Sequence, residues 1–503
     1  MIKRLIYLAI FFSAGSAFAQ KPYHEQYRPQ IHFSPPAHWM NDPNGLVYYK
    51  GVYHLFYQYY PKAAVWGPMH WGHATSTDLV HWTNKPIALY PDSIGLIFSG
   101  SAVVDYNNTS GFGKNGQPPM VAVFTQHNQA REKDGRNDTE NESIAYSNDE
   151  GRTWTKYQHN PVLVNPGISD FRDPKVMWYA PGNKWVMTLA TKDRITFYSS
   201  PNLKDWTKES EFGESSGAHG GVWECPDLFP MTASNGKKLW VLIVNINPGG
   251  PQGGSATQYF TGDFDGKTFK PNSTGTRWLD AGTDEYAGVT WSNTGNRRIF
   301  LGWMSNWQYA TSVPTKAWRS AMTIPRELKL VKLDTAYYVT SEPVKELGGL
   351  KDVTATLQNV KVQQDMDITK LVKGPAAQYE LSLSAKQLKS FAITLSNTAG
   401  EKLLIGYDAK QNTWYMDRTQ AGEAGFSKDF AKRFTIPRMA KSMGTDVTLL
   451  VDAASVELFA DKGLTVMTTI FFPKKPLDQI SVGSGDGLMI NDLSYSPLKS
   501  IWP

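Results

Sequence analysis

Short runs of alternating apolar and polar residues dominate the chain from about residue 30 onward, and helical periodicity is nearly absent. Such runs occupy residues 46–60, 120–125, 143–146, 175–179, 185–191 and 240–245. Alternation with a period of two places successive side chains on opposite faces of a strand. The pattern therefore predicts an all-β protein.

A loose repeat organises these strands into similar units. In each copy a strand ends in a polar turn, and an aromatic residue closes the next strand; these aromatics are Trp82, Trp154, Trp206 and Phe269. Their spacing, about 50–70 residues, suits a four-stranded propeller blade with loops of variable length. With the strand-rich segment 288–304 as a further blade, we expect a five-bladed β-propeller over residues 22–340.

The pattern changes character near residues 341–349, which we interpret as a junction. Beyond it, eight or more short alternating segments are separated by polar turns, and none carries an acidic residue between an aromatic residue and a proline. Many short strands of this kind are typical of two packed sheets. Residues 345–503 are therefore predicted to form a supporting β-sandwich domain.

Composition points to a neutral substrate. Of the 503 residues, 13% are aromatic and only 19% are charged, and the formal charge of +5 comes without a Lys/Arg cluster. Aromatic surfaces stack on neutral rings, whereas a nucleic-acid or membrane partner calls for a concentrated basic patch. We therefore expect no nucleic-acid partner and no membrane span; the composition says nothing about oligomeric state.

The first 19 residues are typical of a cleaved export signal. Lys3 and Arg4 precede an apolar run at 5–12, and the small-residue site 17–19 follows. Such a segment is too short to span a membrane, so we expect the protein to be periplasmic or secreted. Cys225 is the only cysteine, which excludes an internal disulfide.

Three acidic residues share an unusual setting, here called the acid–proline segments. Asp42 and Asp173 each precede a proline, Glu224 lies two residues before one, and all three have aromatic neighbours. Proline offers no backbone donor, so these segments belong on the edge strands that line a propeller channel. We expect the three carboxyl groups to converge on one axial pocket suited to sugar chemistry.

Five motifs in chain order resemble those of glycoside hydrolase family 32. They are WMNDPNG at 39–45, FSGS at 98–101, FRDP at 171–174, WECPDL at 223–228 and GWMSNW at 302–307. The family contains invertases, inulinases, levanases and fructan β-fructosidases, and it combines a five-bladed propeller with a C-terminal β-sandwich. The resemblance covers nearly the whole mature chain and implies a retaining β-fructofuranosidase.

By this resemblance, Asp42 is the nucleophile, Glu224 is the general acid/base, and Asp173 stabilises the transition state by holding sugar hydroxyls. Such chemistry needs one ionised and one protonated carboxyl group about 5–5.5 Å apart. The amides of Asn41 and Asn44 are expected to favour the ionised form of Asp42. The drier setting of Glu224 is expected to raise its pKa.

The resemblance also supplies a substrate pocket. Arg172 is expected to orient Asp173 or to bind a hydroxyl, and Glu285 stands where the family usually has an aromatic residue. The residues expected around the terminal fructose are Asn41, Gln58, Trp66, Phe98, Ser99 and Trp303. Amides, a hydroxyl and aromatic faces are the groups that recognise a neutral polyol.

No cofactor is expected, because both steps of such a reaction need only carboxyl groups and water. His70 and His73 do not predict a metal site, since three-residue spacing on a strand points the rings to opposite faces. The charged segment 131–142 is interpreted as a solvated loop, or else as one that overhangs the pocket.

The sequence leaves three alternatives open. The segment 147–154 matches the aspartate box of sialidase propellers, but no arginine cluster suited to an anionic sugar accompanies it. A fructan-binding propeller without activity would lack one of the carboxylates. Within the enzyme interpretation, exo-acting release of fructose from levan or inulin, with cleavage of sucrose, is preferred over an endo-acting levanase.

Overall fold

A computed structural model of the protein describes residues 23–369 and 377–502, and within these ranges the strands form seven sheets. Five sheets of four or five strands are followed by two sheets of six. The predicted all-β propeller and β-sandwich are therefore confirmed. The predicted export signal at 1–19 lies outside the described residues.

The first four blades each run in chain order from an inner to an outer strand. The first contains β1 (His38–Tyr49), β2 (Val52–Tyr60), β3 (His70–Ser76) and β4 (Thr83–Leu89). The second contains β5 (Leu96–Val104), β6 (Met120–His127), β7 (Glu140–Ser147) and β8 (Thr155–Lys156), with helix α1 (Gln129–Lys133) between β6 and β7. The third contains β9 (Phe171–Tyr179), β10 (Lys184–Thr191), β11 (Arg194–Ser200) and β12 (Thr207–Phe212). The fourth contains β13 (Val222–Thr232), β14 (Lys238–Asn247), β15 (Ala256–Phe264) and β16 (Phe269–Pro271).

The fifth blade also closes the ring. Its strands are β17 (Tyr286–Thr290), β18 (Ile299–Met304), β20 (Ala321–Met322), β21 (Arg326–Leu333) and β22 (Ala336–Pro343), whereas β19 (Trp318–Arg319) pairs in parallel with the start of β1. Because late strand β19 joins the first sheet, the two ends of the propeller chain are held together by backbone hydrogen bonds.

Twelve strands beyond the propeller form the sandwich. They are β23 (Ala355–Val362), β24 (Met366–Asp367), β25 (Tyr379–Ala385), β26 (Phe391–Ser396), β27 (Lys402–Asp408), β28 (Thr413–Gln420), β29 (Arg433–Pro437), β30 (Thr445–Asp452), β31 (Ser455–Ala460), β32 (Thr465–Ile470), β33 (Gln479–Gly483) and β34 (Leu488–Pro497). One sheet has the order β23-β34-β25-β30-β31-β32, and the other has the order β24-β33-β26-β27-β28-β29. Their inward-facing side chains, among them Leu381, Ile393 and Leu449, fill the space between the sheets.

Short 3-10 turns accompany the strands at Ala180–Gly182 and Lys345–Leu350, the second between propeller and sandwich. Within the described ranges, no helix is long and apolar enough to cross a membrane.

A buried network of charges joins the two halves of the chain. Arg326 of the fifth blade donates to Glu457 of the sandwich and to Asp280, at 3.0 and 2.9 Å. The two ring nitrogens of His32 lie 2.7 Å from Asp452 and 2.9 Å from Glu457. Charges this far from water must be paired, so the network fixes the sandwich against the propeller.

Candidate active site

The inner strand of every blade carries a β-bulge at the same level of the channel. In each bulge two consecutive residues oppose a single residue of the second strand, at positions 41–42, 98–99, 173–174, 225–226 and 287–288. Asp173, Cys225 and Ala287 adopt positive φ angles of 67°, 43° and 53° there. A bulge turns side chains away from the regular alternation of the strand. Bulge residues of the first three blades, Asn41, Asp42, Phe98, Ser99 and Asp173, thereby line one axial cavity.

The carboxyl groups of Asp42 and Asp173 lie on either side of the Cys225 thiol. The sulfur is 3.6 Å from Oδ2 of Asp42 and 3.6 Å from Oδ2 of Asp173. The backbone amide of Cys225 donates to Asp173 at 3.0 Å. Asp42 accepts hydrogen bonds from Asn41 at 2.9 Å and from Ser99 at 2.7 Å, so both of its oxygens are fixed in space.

The expectation for Asn44 was wrong. Its side-chain amide donates to the backbone carbonyl of Asp42, at 3.4 Å, rather than to the carboxylate. Asn44 lies between this bulge and a second register shift that begins directly after it, and its side chain does not line the cavity. Asn41 alone of the two amides contacts the Asp42 carboxyl group.

Arg172 and Tyr286 hold the carboxyl group of Glu224. Nε and Nη2 of Arg172 donate to Oε1 of Glu224 at 3.3 and 3.1 Å, and the hydroxyl of Tyr286 donates to Oε2. Nη1 of Arg172 donates to Glu140 and Asp170 at 3.2 and 2.7 Å. Arg172 was expected to orient Asp173 or to bind a hydroxyl. Its hydrogen bonds run to Glu224, Glu140 and Asp170 and not to Asp173, and the binding of a hydroxyl stays a prediction.

Burial dominates the protonation of the acidic cluster. It raises the pKa of Glu224, an effect that Asp42 adds to and that Arg172 opposes. Burial also raises the pKa of Asp173, against the opposing charge of Arg172 and with a further contribution from Glu224. The cluster therefore retains a proton at pH values where an exposed carboxyl group has lost it.

These carboxyl groups face a cavity of about 410 Å³, within the range of small-molecule sites. Every predicted site residue except Trp303 lines it, namely Asn41, Asp42, Gln58, Trp66, Phe98, Ser99, Arg172, Asp173 and Glu224. The sequence motifs thus identified a set of side chains that the fold brings together from the first four blades.

Trp303 is the exception: it does not line the cavity, and its contact with substrate stays a prediction. Its side chain is fully buried, and its ring packs 4.9 Å from that of Trp307, which lines the cavity instead. Trp303 pairs with Tyr286 inside the fifth blade, so its indole faces the blade core. Trp307 lies in the same motif, three residues after the strand ends.

Aromatic and amide groups form the walls of the cavity. The Phe98 ring stacks on His127 at 4.5 Å, and Trp66, 40% exposed, stands edge-on to Phe98 at the rim. Gln58 is buried opposite the first bulge, and its Nε2 has no hydrogen-bond partner among the described residues. A buried amide donor beside aromatic faces is suited to a sugar hydroxyl.

Sequence reasoning missed a second group of cavity residues. They are Met69, His127, Glu132, Arg136, Thr139, Glu140, Ser169, Asp170 and Trp307. Much of the group comes from the charged segment 131–142, which is not simply a solvated loop: its first residues form the end of helix α1, and β7 begins at Glu140. The alternative interpretation, that the segment overhangs the pocket, agrees with its position.

In the described part of the chain, no group of three or more His, Cys, Asp or Glu side chains is arranged to hold a metal ion. The aspartate-box segment 147–154 lies in the turn between β7 and β8, where Asp149 accepts hydrogen bonds from Ser147 and Thr153 at 2.7 and 2.6 Å. The polar side chains of Ser147, Asp149 and Thr153 are thus hydrogen-bonded to one another within the turn.

Comparison with known proteins agrees with the site. Residues 32–343 match the model of the glycosyl hydrolases family 32 N-terminal domain, and residues 346–499 match the family 32 C-terminal model. The levanase of Bacillus subtilis is 45% identical, over 100% of this chain and 75% of its own length. The invertase of Schizosaccharomyces pombe is 37% identical, over 94% of this chain and 86% of its own.

The extracellular exo-inulinase of Aspergillus awamori is 40% identical, with 95% of this chain and 96% of its own length aligned. Its crystal structure superposes with a TM-score of 0.87, covering 95% of this chain and 100% of that one. Both domains of the family are present in order, and the family motifs meet in one cavity. The chain therefore belongs to glycosyl hydrolase family 32 and is a glycoside hydrolase.

Proposed function

We propose that this protein is a retaining β-fructofuranosidase that releases fructose from the ends of β-linked fructans, levan or inulin, and also cleaves sucrose. The observation that carries the proposal is the convergence of Asp42, Asp173 and Glu224 on one cavity. The relatives named levanase, exo-inulinase and invertase support the substrate class.

In the first step, Asp42 attacks the anomeric carbon of the terminal fructose while Glu224 gives its proton to the departing glycosidic oxygen. The bond to the leaving sugar breaks as a fructosyl ester forms on Asp42. In the second step, Glu224 takes a proton from water, whose oxygen attacks the same carbon and releases Asp42. Two inversions leave the configuration unchanged, and neither step needs a cofactor.

The contacts of each carboxyl group support this division of roles. Asn41 and Ser99 hold both oxygens of Asp42, which favours one attack direction. Burial raises the pKa of Glu224, so it carries the proton that the leaving group needs. Asp173, held by the Cys225 amide, is assigned to the sugar hydroxyls.

The shape of the cavity supports exo action. It is a pocket of about 410 Å³ with aromatic walls, and the segment around α1 covers one side. A pocket closed on one side takes a chain end, whereas an endo-acting levanase needs a groove open at both sides. Fructose as the sole early product would support exo action, and a ladder of oligosaccharides would identify the endo-acting alternative.

In this proposal residues 22–340 form the catalytic domain and residues 345–503 support it. The protein is proposed to act outside the cytoplasm, since its first 19 residues are typical of an export signal. The name of the extracellular exo-inulinase is consistent with that location.

Replacing Glu224 with Gln tests the function. The variant keeps the shape of the side chain but loses the proton, so kcat/KM on sucrose and levan should fall by about 10²–10⁴-fold. Binding of fructan, measured by calorimetry, should remain. The matched control is Glu214→Gln, at a side chain that is 80% exposed. A wild-type protein that binds fructan without releasing fructose would be a binding module, and the proposal would be wrong.

A further inference from the structure

A chain of charged side chains leads from helix α1 to Glu224. The ring of His127, at the end of β6, lies between two carboxylates: Nε2 is 3.1 Å from Glu132 of α1, and Nδ1 is 3.4 Å from Glu140 of β7. The same Oε1 of Glu140 accepts from Arg172 at 3.2 Å, and Arg172 in turn donates to Glu224.

This arrangement defines the charge of His127. A neutral imidazole has one donor nitrogen and one acceptor nitrogen, but both nitrogens of His127 face carboxylate oxygens. The ring makes one hydrogen bond, between Nε2 and Glu132, and Nδ1 has no hydrogen-bond partner among the described residues; Glu140 therefore favours the imidazolium through its charge. The parallel ring of Phe98, 4.5 Å away, adds a favourable contact with a cation. Burial acts to lower the pKa of His127, but Glu140 and Glu132 outweigh it and raise the pKa.

The side chain of Glu140 is held in one position between His127 and Arg172. Its side chain is 4% exposed, and its second oxygen accepts from the backbone amide of Phe171 at 2.7 Å. The position of Arg172 therefore depends on a carboxylate that is shared with His127. Asp170 is the other partner of the same guanidinium nitrogen, at 2.7 Å.

We propose that His127 is a positioning residue for the acid/base: as an imidazolium clamped by Glu132 and Glu140, it fixes Arg172 on Glu224 and sets the pH range over which Glu224 holds its proton. The inference rests on the proposed function. None of the sequence motifs includes His127 or Glu140, and nothing in their local sequence suggests the role.

The electrostatic consequence has a definite sign. The positive charge of His127 favours the ionised form of Glu224, so its removal should raise the pH at which Glu224 loses its proton. The negative charge of Glu140 acts in the opposite direction. Each effect should amount to about half to one pH unit, as for charges that interact through the protein interior without direct contact.

The test compares pH profiles of kcat/KM on sucrose, whose alkaline limb reports the general acid of the free enzyme. His127→Gln should move that limb upward by about half to one pH unit. Glu140→Gln should move it downward by a similar amount, because Asp170 still holds Arg172 at 2.7 Å and only the negative charge of Glu140 is lost. The double variant should lie near the wild type. If the substitutions only disturbed packing, activity would fall at every pH, and the alkaline limbs of the two single variants would not move in opposite directions.

Two further variants make the comparison specific. His81→Gln is the matched control, since His81 is exposed and lies 2.8 Å from Asp78 on an outer turn of the first blade. The alkaline limb of the His81→Gln profile should not move. His127→Lys retains the charge and should keep the wild-type limb. Thermal unfolding establishes that each variant is folded, and if His127→Gln does not fold, the shift of Glu140→Gln decides.

Opposite shifts in the two single variants support the inference. Unmoved limbs, or limbs that move in the same direction, overturn it while leaving the proposed function intact, since wild-type activity and the Glu224→Gln result are measured independently. A wild-type protein without hydrolytic activity would instead refute the proposed function.

Discussion

Glu285 places a carboxyl group without a partner in the core of the fifth blade, and its replacement by Gln is predicted to stabilise the fold. The residue is 3% exposed, and neither carboxyl oxygen has a hydrogen-bond partner among the described residues. The nearby hydroxyl of Thr257 donates to Asn245 instead, at 2.6 Å. A carboxylate in such a place has lost its water and gained nothing in return.

The size of the effect follows from the protonation of Glu285. Burial, with a contribution from the negative Asp280, raises the pKa of Glu285 from 4.5 to about 8. The unfolded chain therefore loses this proton near pH 4.5, whereas the folded chain keeps it until about pH 8. Between those values the free energy of unfolding falls by about 1.4 kcal/mol per pH unit. At pH 7 the total is about 3 kcal/mol, and it levels off near 5 kcal/mol above pH 8.

Gln has the same shape and no proton to lose, so Glu285→Gln escapes this penalty. Thermal midpoints of the variant and the wild type should agree near pH 4.5 and separate by several degrees at pH 8. The exposed control Glu214→Gln should show no such widening. A difference that stays constant with pH, or a variant less stable than the wild type at pH 8, would refute the reasoning.

Two further predictions concern other groups. His32 lies buried between Asp452 and Glu457, and although burial acts to lower its pKa, these carboxylates raise it to about 9. The resulting stabilisation, about 3 kcal/mol, is complete below pH 6.5 and is lost as the pH rises through 9; His32→Gln should abolish this pH dependence of the thermal midpoint. Ser99→Ala removes one of the hydrogen bonds to the proposed nucleophile, so kcat/KM on sucrose should fall by about 3–10-fold with an unchanged thermal midpoint; an unchanged rate would contradict the role.

The inner strands could be predicted because the residues that identify them are close together in the sequence. Proline lacks a backbone donor, so Pro43, Pro174 and Pro226 restrict their segments to strand edges whatever the rest of the chain does. The structure agrees for β9 and β13, which are edge strands, and β1 meets β19 only at its first two residues. The polar turns that end at Trp82, Trp154, Trp206 and Phe269 likewise recur, because each joins the third strand of a blade to its fourth.

The charged half of the cavity could not be predicted because its signal is not local. Glu140 and Arg172 are 32 residues apart, and Arg172 and Glu224 are 52 apart. Taken alone, the charges between 131 and 142 are indistinguishable from those of a solvated loop. Only the docking of the second blade against the third shows which of them face the cavity.

The bulges explain how a regular propeller holds an irregular site. A non-glycine residue at positive φ costs about 1–2 kcal/mol, and three of the inner strands contain one at the bulge. Asn245 offsets part of this cost: its amide nitrogen donates to the carbonyl oxygens of Cys225 and Gly288, at 2.9 and 3.3 Å, and its oxygen accepts from the Gly288 amide at 3.0 Å. Cys225 belongs to the same blade as Asn245, whereas Gly288 belongs to the fifth blade. The Asp173 amide likewise donates to Thr125 of the second blade, at 3.0 Å. Two of the three strained bulges are thus held by a side chain from the preceding blade, so their contacts are complete only when the blades are assembled.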